Sequence, residues 1–134
     1  MSSTIFTVIT GASEGLGKAM ALECASRDMN LILVALPGKE LFRLASTIEK
    51  NFKVRVITYE KDLTIEGDCW SLYQDIRGKN YGVNMLINNA GIGNCCAFEE
   101  SQVAGFTPLI KLNIMATTML TRLFVDLLKC HEKS

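Results

Sequence analysis

Short apolar runs alternate along this chain with longer amphipathic segments, and glycine, proline, asparagine or aspartate marks most of the boundaries. Ile5-Phe6-Thr7-Val8-Ile9 reads as a strand, and 16–27 as an amphipathic helix that Asp28-Met29-Asn30 breaks. Residues 31–36, Leu-Ile-Leu-Val-Ala-Leu, are apolar throughout, as in a strand covered on both faces of a parallel sheet, and Pro37-Gly38 ends them. Leu41, Leu44, Ala45, Ile48 and Phe52 recur at helical spacing and predict a helix over 39–51. Residues 54–59 alternate and predict a partly exposed strand suited to a sheet edge; Asp62-Leu63-Thr64 then turns the chain. A helix over 65–77 shows Cys69, Leu72, Tyr73 and Ile76 on one face, and Lys79-Asn80-Tyr81-Gly82 connects it to a fourth strand, 83–87. That strand runs into Asn88-Asn89-Ala90-Gly91, and a loop with two cysteines leads on to Glu99. A last helix, about 108–130, places Leu109, Leu112, Ala116, Met119, Leu120, Leu123 and Leu127 on one stripe, with Ile114, Met115, Phe124 and Leu128 off it. Two apolar faces on one helix leave two readings open, a thick core and a subunit interface.

The order is β-α-β-α-β-α-β-α with no internal repeat and no linker, so one domain over 1–134 is expected. Such alternation implies an α/β fold with a parallel sheet and right-handed crossovers. With the reversal usual for doubly wound sheets, the strand order is 3-2-1-4, and the ligand crevice lies between strands 1 and 4 at their C-terminal ends. Thr10-Gly11-Ala12-Ser13-Glu14-Gly15-Leu16-Gly17 and Asn88 to Gly91 come from those two strand ends. The first stretch follows a strand and opens a helix, which is the arrangement that cradles a phosphate on glycine backbone and helix N–H groups.

Composition narrows the reading. The chain has 134 residues, 49% apolar and 21% charged, which is enough for a real core and argues against disorder. Net charge is zero with no Lys/Arg cluster, so a nucleic-acid surface is not expected. The five cysteines are odd in number and irregularly spaced, which fits a reducing, cytoplasmic location; the adjacent Cys95-Cys96 pair keeps a redox role open. His131 is the single histidine, so no metal site is expected. No secretory leader is read in Met1-Ser2-Ser3, and the longest uninterrupted apolar run, 31–37, is too short to span a bilayer; no membrane partner is expected.

The spacing Thr10-Gly11-x-x-x-Gly15-x-Gly17 differs from the common G-x-G-x-x-G fingerprint. Together with Asn88-Asn89-Ala90-Gly91, Asp62 after the third strand and Asn113 in the long helix, it resembles the short-chain dehydrogenase/reductase family over the whole chain. The resemblance implies a Rossmann-type fold binding NAD or NADP. It also implies roles: Gly11, Gly15 and Gly17 at the pyrophosphate with Ser13, Glu14 and Leu16 contributing contacts, Asp62 at the adenine amino group with Leu63 beside it, and Asn89, Ala90 and Gly91 near the riboses. Asn113 is the implied catalytic contributor, holding a water of the proton relay where the helix opens locally.

For cofactor choice, strand 2 ends in Leu36-Pro37-Gly38-Lys39, without the carboxylate that takes a ribose 2′-hydroxyl. With Lys39 nearby, NADP is favoured over NAD on charge grounds, although Glu14 stands where many NADP-preferring relatives carry a basic residue.

The family's Ser and its Tyr-x-x-x-Lys, whose Lys lowers the Tyr pKa for acid–base work, have no counterpart here; Tyr73-x-x-x-Arg77 precedes strand 4 and stands in the wrong place. The fold is therefore expected to stop before strand 5. Two readings follow: the cofactor-binding part of an oxidoreductase acting on a small carbonyl or alcohol substrate, inactive by itself, or a non-catalytic nucleotide-binding or assembly module. Strand 83–87 would become an apolar edge, and self-association through it, through helix 108–130, or through both is expected.

Overall fold

The computed structural model describes residues 3–132. Met1, Ser2, Lys133 and Ser134, parts of the two ends considered above, lie outside the described residues. Four strands, β1 (Ile5–Thr10), β2 (Leu31–Ala35), β3 (Val56–Glu60) and β4 (Gly82–Ile87), form one sheet in the order β3-β2-β1-β4. All three pairings are parallel, with Thr7 beside Leu31, Leu31 beside Val56 and Ile9 beside Ile87. Helices α1 (Gly15–Ser26), α2 (Lys39–Asn51) and α3 (Glu66–Gly78) supply the crossovers.

The core divides by sheet face, as the period-2 geometry of strands requires. On one face Phe6, Val8, Ile32, Val34 and Val83 pack with Leu72 and Ile76 of α3 and with Ala116, Leu120 and Phe124 from the last helix. On the other, Ile9, Leu31 and Leu33 pack with Ala21 and Ala25 of α1 and with Leu41, Leu44 and Ile48 of α2. β2 is buried at every position because both layers cover it, whereas β3 is half-exposed at the edge.

Three elements depart from the pattern read in the sequence. β3 begins at Val56 rather than Val54, and Asn30 and Glu49 side chains cap its entry through the N–H groups of Arg55 and Val56. A short 3₁₀ turn, Phe98–Glu100, interrupts the loop expected before the last helix. That helix starts earlier and is not uniform: α4 (Val103–Ile110) passes through a π-helical turn, Lys111–Ala116, into α5 (Thr117–Leu128). Pro108 therefore lies inside the helix rather than at its start. A proline at its sixth residue forfeits one intrahelical N–H, and the π turn begins three residues further on.

The continuous helix Val103–Leu128 has 26 residues and is, by length and composition, apolar enough to cross a membrane. A run-length reading misses this because Lys111 and Asn113 interrupt the apolar sequence. Its buried face nevertheless packs on β4 and α3 as a sheet cover. Of the apolar residues off the stripe, Phe124 is buried in the core and Leu128 packs against it, whereas Ile114 is exposed, as is Ile110. β4 is the open edge on the side opposite β3, and its pairing with β1 shifts register between Phe6 and Thr7, which bulges the strand at Asn84.

Candidate functional site: a crevice between the ends of β1 and β4

The two motifs meet. β1 ends at Thr10, and the chain turns through Gly11, at φ +64°, and Gly15, at φ +55°, into α1. Both values lie in the left-handed region, where glycine alone is unstrained. Gly17 serves differently: a Cβ there would stand 2.1 Å from the Gly11 carbonyl oxygen, so hydrogen at this position lets α1 close onto the turn. A Cβ on Gly11 would meet the Ala90 Cα at 2.9 Å, so the turn is also pressed against the segment leaving β4.

That contact is held by hydrogen bonds. The buried Thr10 hydroxyl accepts the N–H of Asn89 at 3.1 Å and of Ala90 at 3.0 Å, and donates to the Ile87 carbonyl at 3.5 Å. The Asn89 side-chain amide donates to the Thr10 and Gly11 carbonyls at 3.2 and 3.0 Å. Asn88 points elsewhere, donating to the Thr121 hydroxyl on α5 at 3.0 Å. Thus Asn89 ties strand to strand, and Asn88 ties strand to helix.

Beyond the clasp lies an open cavity of about 530 Å³, lined in part by Gly11, Ser13, Glu14, Asp62, Leu63 and Thr64, and by Asn89, Ala90, Gly91 and Ile92 on the β4 side. The volume is that of an ordinary ligand cleft. Glu14, the N-cap of α1, is extended and makes no side-chain cap. No side chain therefore occupies the first-turn N–H groups from that position, and they carry the positive end of the helix dipole. A backbone stripped of Cβ atoms beside uncapped N–H groups fits a pyrophosphate.

At the far end, Asp62 is fixed in an Asx turn: one carboxylate oxygen accepts the Thr64 N–H at 3.0 Å and the Thr64 hydroxyl at 2.6 Å. Its own N–H donates to Asp68 at 2.9 Å. The sequence reading did not single out Lys61 or Ile92, and it named Leu36 only for the absence of a carboxylate; all three line the crevice. Lys61 follows β3 directly and donates to the Ser71 hydroxyl at 2.8 Å, which the period-2 pattern of the strand signals only weakly. Lys39 opens α2, is exposed, and is not among the lining residues; Gly15, Leu16 and Gly17 shape the wall from the α1 side without lining the cavity.

Asn113 lies in the π turn, and its side chain faces the crevice rim. Its amide donates to the Ile92 carbonyl at 2.7 Å, and its carbonyl oxygen accepts the Ile92 N–H at 2.9 Å. Gly91 passes so close that a Cβ would meet the Asn113 Oδ1 at 3.1 Å. Helix and post-β4 loop are thereby pinned at one residue, and a widened turn shifts backbone carbonyls out of the regular ladder.

Comparison with known proteins gives a consistent picture. The family model for short chain dehydrogenase matches residues 6–134. A very-long-chain 3-oxoacyl-CoA reductase-like protein of Arabidopsis thaliana is 33% identical over 122 residues, covering 87% of this chain and 38% of the relative. The very-long-chain 3-oxoacyl-CoA reductase of Scheffersomyces stipitis is 35% identical over 121 residues, covering 87% and 34%. Among solved structures, L-sorbose reductase from Gluconobacter frateurii, complexed with NADPH and L-sorbose, superposes with TM-score 0.87 at 28% identity, over 96% of this chain and 49% of that one. The chain thus spans about half the length of that structure and little more than a third of those curated relatives.

Proposed function

This chain belongs to the short-chain dehydrogenase family, and from that premise we propose that it is the NADP(H)-binding part of an oxidoreductase that moves a hydride between the nicotinamide and a carbonyl or alcohol substrate. The observation that carries this reading is the crevice at the reversal of strand order, where the Thr10–Asn89 clasp joins the glycine turn to the end of β4. The bound nicotinamide would supply the hydride chemistry.

The chain's own residues supply binding and orientation. Gly11, Ser13 and the α1 N-terminus would hold the pyrophosphate, Gly15 and Gly17 allowing that close approach. Asp62 and Leu63 would receive the adenine, and Asn89, Ala90 and Gly91 the riboses. Asn113 would act on the reaction indirectly, fixing Ile92 at the crevice rim and presenting the opened backbone of its π turn to a proton relay.

NADP is preferred over NAD in this proposal for two reasons. β2 ends at Ala35 and is followed by Leu36, 62% exposed in the crevice wall, so no carboxylate from that position repels a 2′-phosphate. Lys61 adds a cation to the wall. Residues 1–134 contain no Tyr-x-x-x-Lys, so we expect cofactor binding without turnover from these residues by themselves.

Fluorescence titration with NADPH and NADH tests the reading. Tighter binding of NADPH, with no oxidation of it by a 3-oxoacyl-CoA or a ketone, supports it. Failure to bind either nucleotide rejects the binding assignment, and turnover by residues 1–134 rejects the assignment of chemistry to groups outside them.

A further inference from the structure

We propose that Cys95 and Cys96 form a reversible redox site on the loop after β4, closing a disulfide between adjacent residues by exchange with small amine-bearing disulfides. Both thiols are exposed. Cys24 and Cys69 are buried, and burial pushes both of those thiols up, which leaves them protonated and inert. Cys130, the other exposed cysteine, follows α5 with its Sγ on the Asp126 carbonyl at 3.2 Å and has no thiol beside it in the sequence. Cys96 Sγ donates to the Asn94 Oδ1 at 3.1 Å and lies 3.3 Å from the Ser101 Oγ. The Ser101 hydroxyl also accepts the Asn94 amide at 2.8 Å and donates to the Ala97 carbonyl at 3.3 Å, so it fastens the loop over the 3₁₀ turn.

Cys96 stands in the wall of a cavity of about 360 Å³, lined also by Ile92, Glu100, Gly105 and Leu109. That volume is at the small end of ligand clefts and admits one half of a small disulfide. Neither Lys nor Arg occurs between Lys79 and Lys111, so Glu100 and its neighbour Glu99 draw in an amine-bearing disulfide and repel a carboxylate-bearing one. The Cys96 thiolate, its proton given to solvent, attacks one sulfur of the small disulfide; that S–S bond breaks, and the departing thiolate takes up a proton. The Cys95 thiolate then attacks the Cys96 sulfur and expels the second small thiol. The two cysteines lose two electrons and the small disulfide gains them. Consecutive Cα atoms stand about 3.8 Å apart, whereas bridged cysteines usually lie about 4.4–6.8 Å apart. The ring is therefore strained and easily reduced, which suits a switch and not a staple. Closing it draws Cys96 Sγ away from Asn94 and Ser101 and loosens the turn that Ser101 holds.

The test uses the 134-residue chain with Cys130→Ser, which removes the third exposed thiol. Cystamine should take two hydrogens from this protein by intact mass and leave no adduct, and peptide mapping should place the bond between Cys95 and Cys96. Dithiothreitol should restore the starting mass. Cystamine should react about tenfold faster than oxidised glutathione at low ionic strength, with the gap narrowing as salt is added. Oxidation should accelerate amide exchange about tenfold at Ser101, whose N–H bonds the Phe98 carbonyl at 3.0 Å. Adding Cys95→Ser or Cys96→Ser should stop the reaction at a cystamine adduct. A lasting adduct or a disulfide between two chains where both cysteines are present, equal rates for the two reagents, or unchanged exchange at Ser101 would each overturn the proposal.

Discussion

Asn89 donates to Thr10 twice: its N–H to the Thr10 hydroxyl at 3.1 Å, and its side-chain amide to the Thr10 carbonyl at 3.2 Å. The hydroxyl also holds the Ala90 N–H, so one side chain serves two backbone donors from the neighbouring strand end. Thr10→Val preserves shape and leaves both donors without that acceptor. It should cost about 2–3 kcal/mol in urea denaturation, since each stranded donor loses its bond and part of its solvation. It should also loosen NADPH binding. Thr10→Ser keeps the hydroxyl and should lie within about 1 kcal/mol of wild type. A Ser variant less stable than the Val variant would mean that methyl packing, not the clasp, holds this junction.

Gly15 and Gly17 are two residues apart and should respond differently to alanine. At Gly15 the added Cβ meets open space, and only the φ of +55° opposes it, for about 1–2 kcal/mol. At Gly17 the Cβ would stand 2.1 Å from the Gly11 carbonyl oxygen, and α1 must move off the turn. Gly17→Ala should therefore lower the thermal midpoint more than Gly15→Ala, and should abolish nucleotide binding where the latter only weakens it. A Gly17→Ala protein with the milder phenotype would contradict the close approach described for α1.

The architecture was legible in the sequence because its signals are local and strong. The apolar run 31–36 can hardly be anything but a central strand, and glycines after β1 place a turn where the sheet needs one. Strand order followed from the reversal usual for doubly wound sheets, which brings both motifs to one crevice. The last helix was misread at its start for a physical reason: Pro108 is a helix-starting signal by its missing N–H, yet here it sits in the second turn of a helix that begins at Val103. Similarly, pattern gives which residues can face a crevice but not which side chains hold one another. That Asn113 bonds Ile92, or that Lys61 lines the wall while Lys39 does not, depends on tertiary placement across many residues.

The Tyr59–Asp75–Lys79 cluster on the β3 side should give stability a pH window. Tyr59 donates to the Asp75 carboxylate, which also pairs with Lys79 at 2.8 Å. Burial, then the Asp75 bond, pushes the Tyr59 pKa up to about 12, while Lys79 and Tyr59 hold the Asp75 carboxyl below its ordinary value. The raised tyrosine stabilises the fold fully below its unfolded pKa, about 10, and that stability is lost as pH rises through about 12. The lowered aspartate stabilises above its unfolded pKa and loses that contribution as pH falls through its depressed folded value. Tyr59→Phe should cost about 1 kcal/mol near neutrality, the site being partly exposed, and should flatten the alkaline limb of a thermal-midpoint profile. An unchanged alkaline limb in the variant would show that another group governs it.

Asn113 offers the most discriminating substitution, because its side chain is donor and acceptor to a single residue. Asn113→Leu removes both bonds to Ile92, so amide exchange at Ile92 should accelerate by about tenfold or more while β1 and β2 stay protected. Asn113→Asp keeps an acceptor for the Ile92 N–H but turns a carboxylate oxygen toward the Ile92 carbonyl that Nδ2 now serves. Repulsion between those oxygens should raise the carboxyl pKa, since its protonated form can again donate. The aspartate variant should therefore exchange rapidly at neutral pH and recover protection as the pH falls toward the carboxyl range, whereas the leucine variant should show no such recovery. Parallel behaviour of the two would mean that the π turn holds the loop through its backbone, with the Asn113 side chain only reporting it.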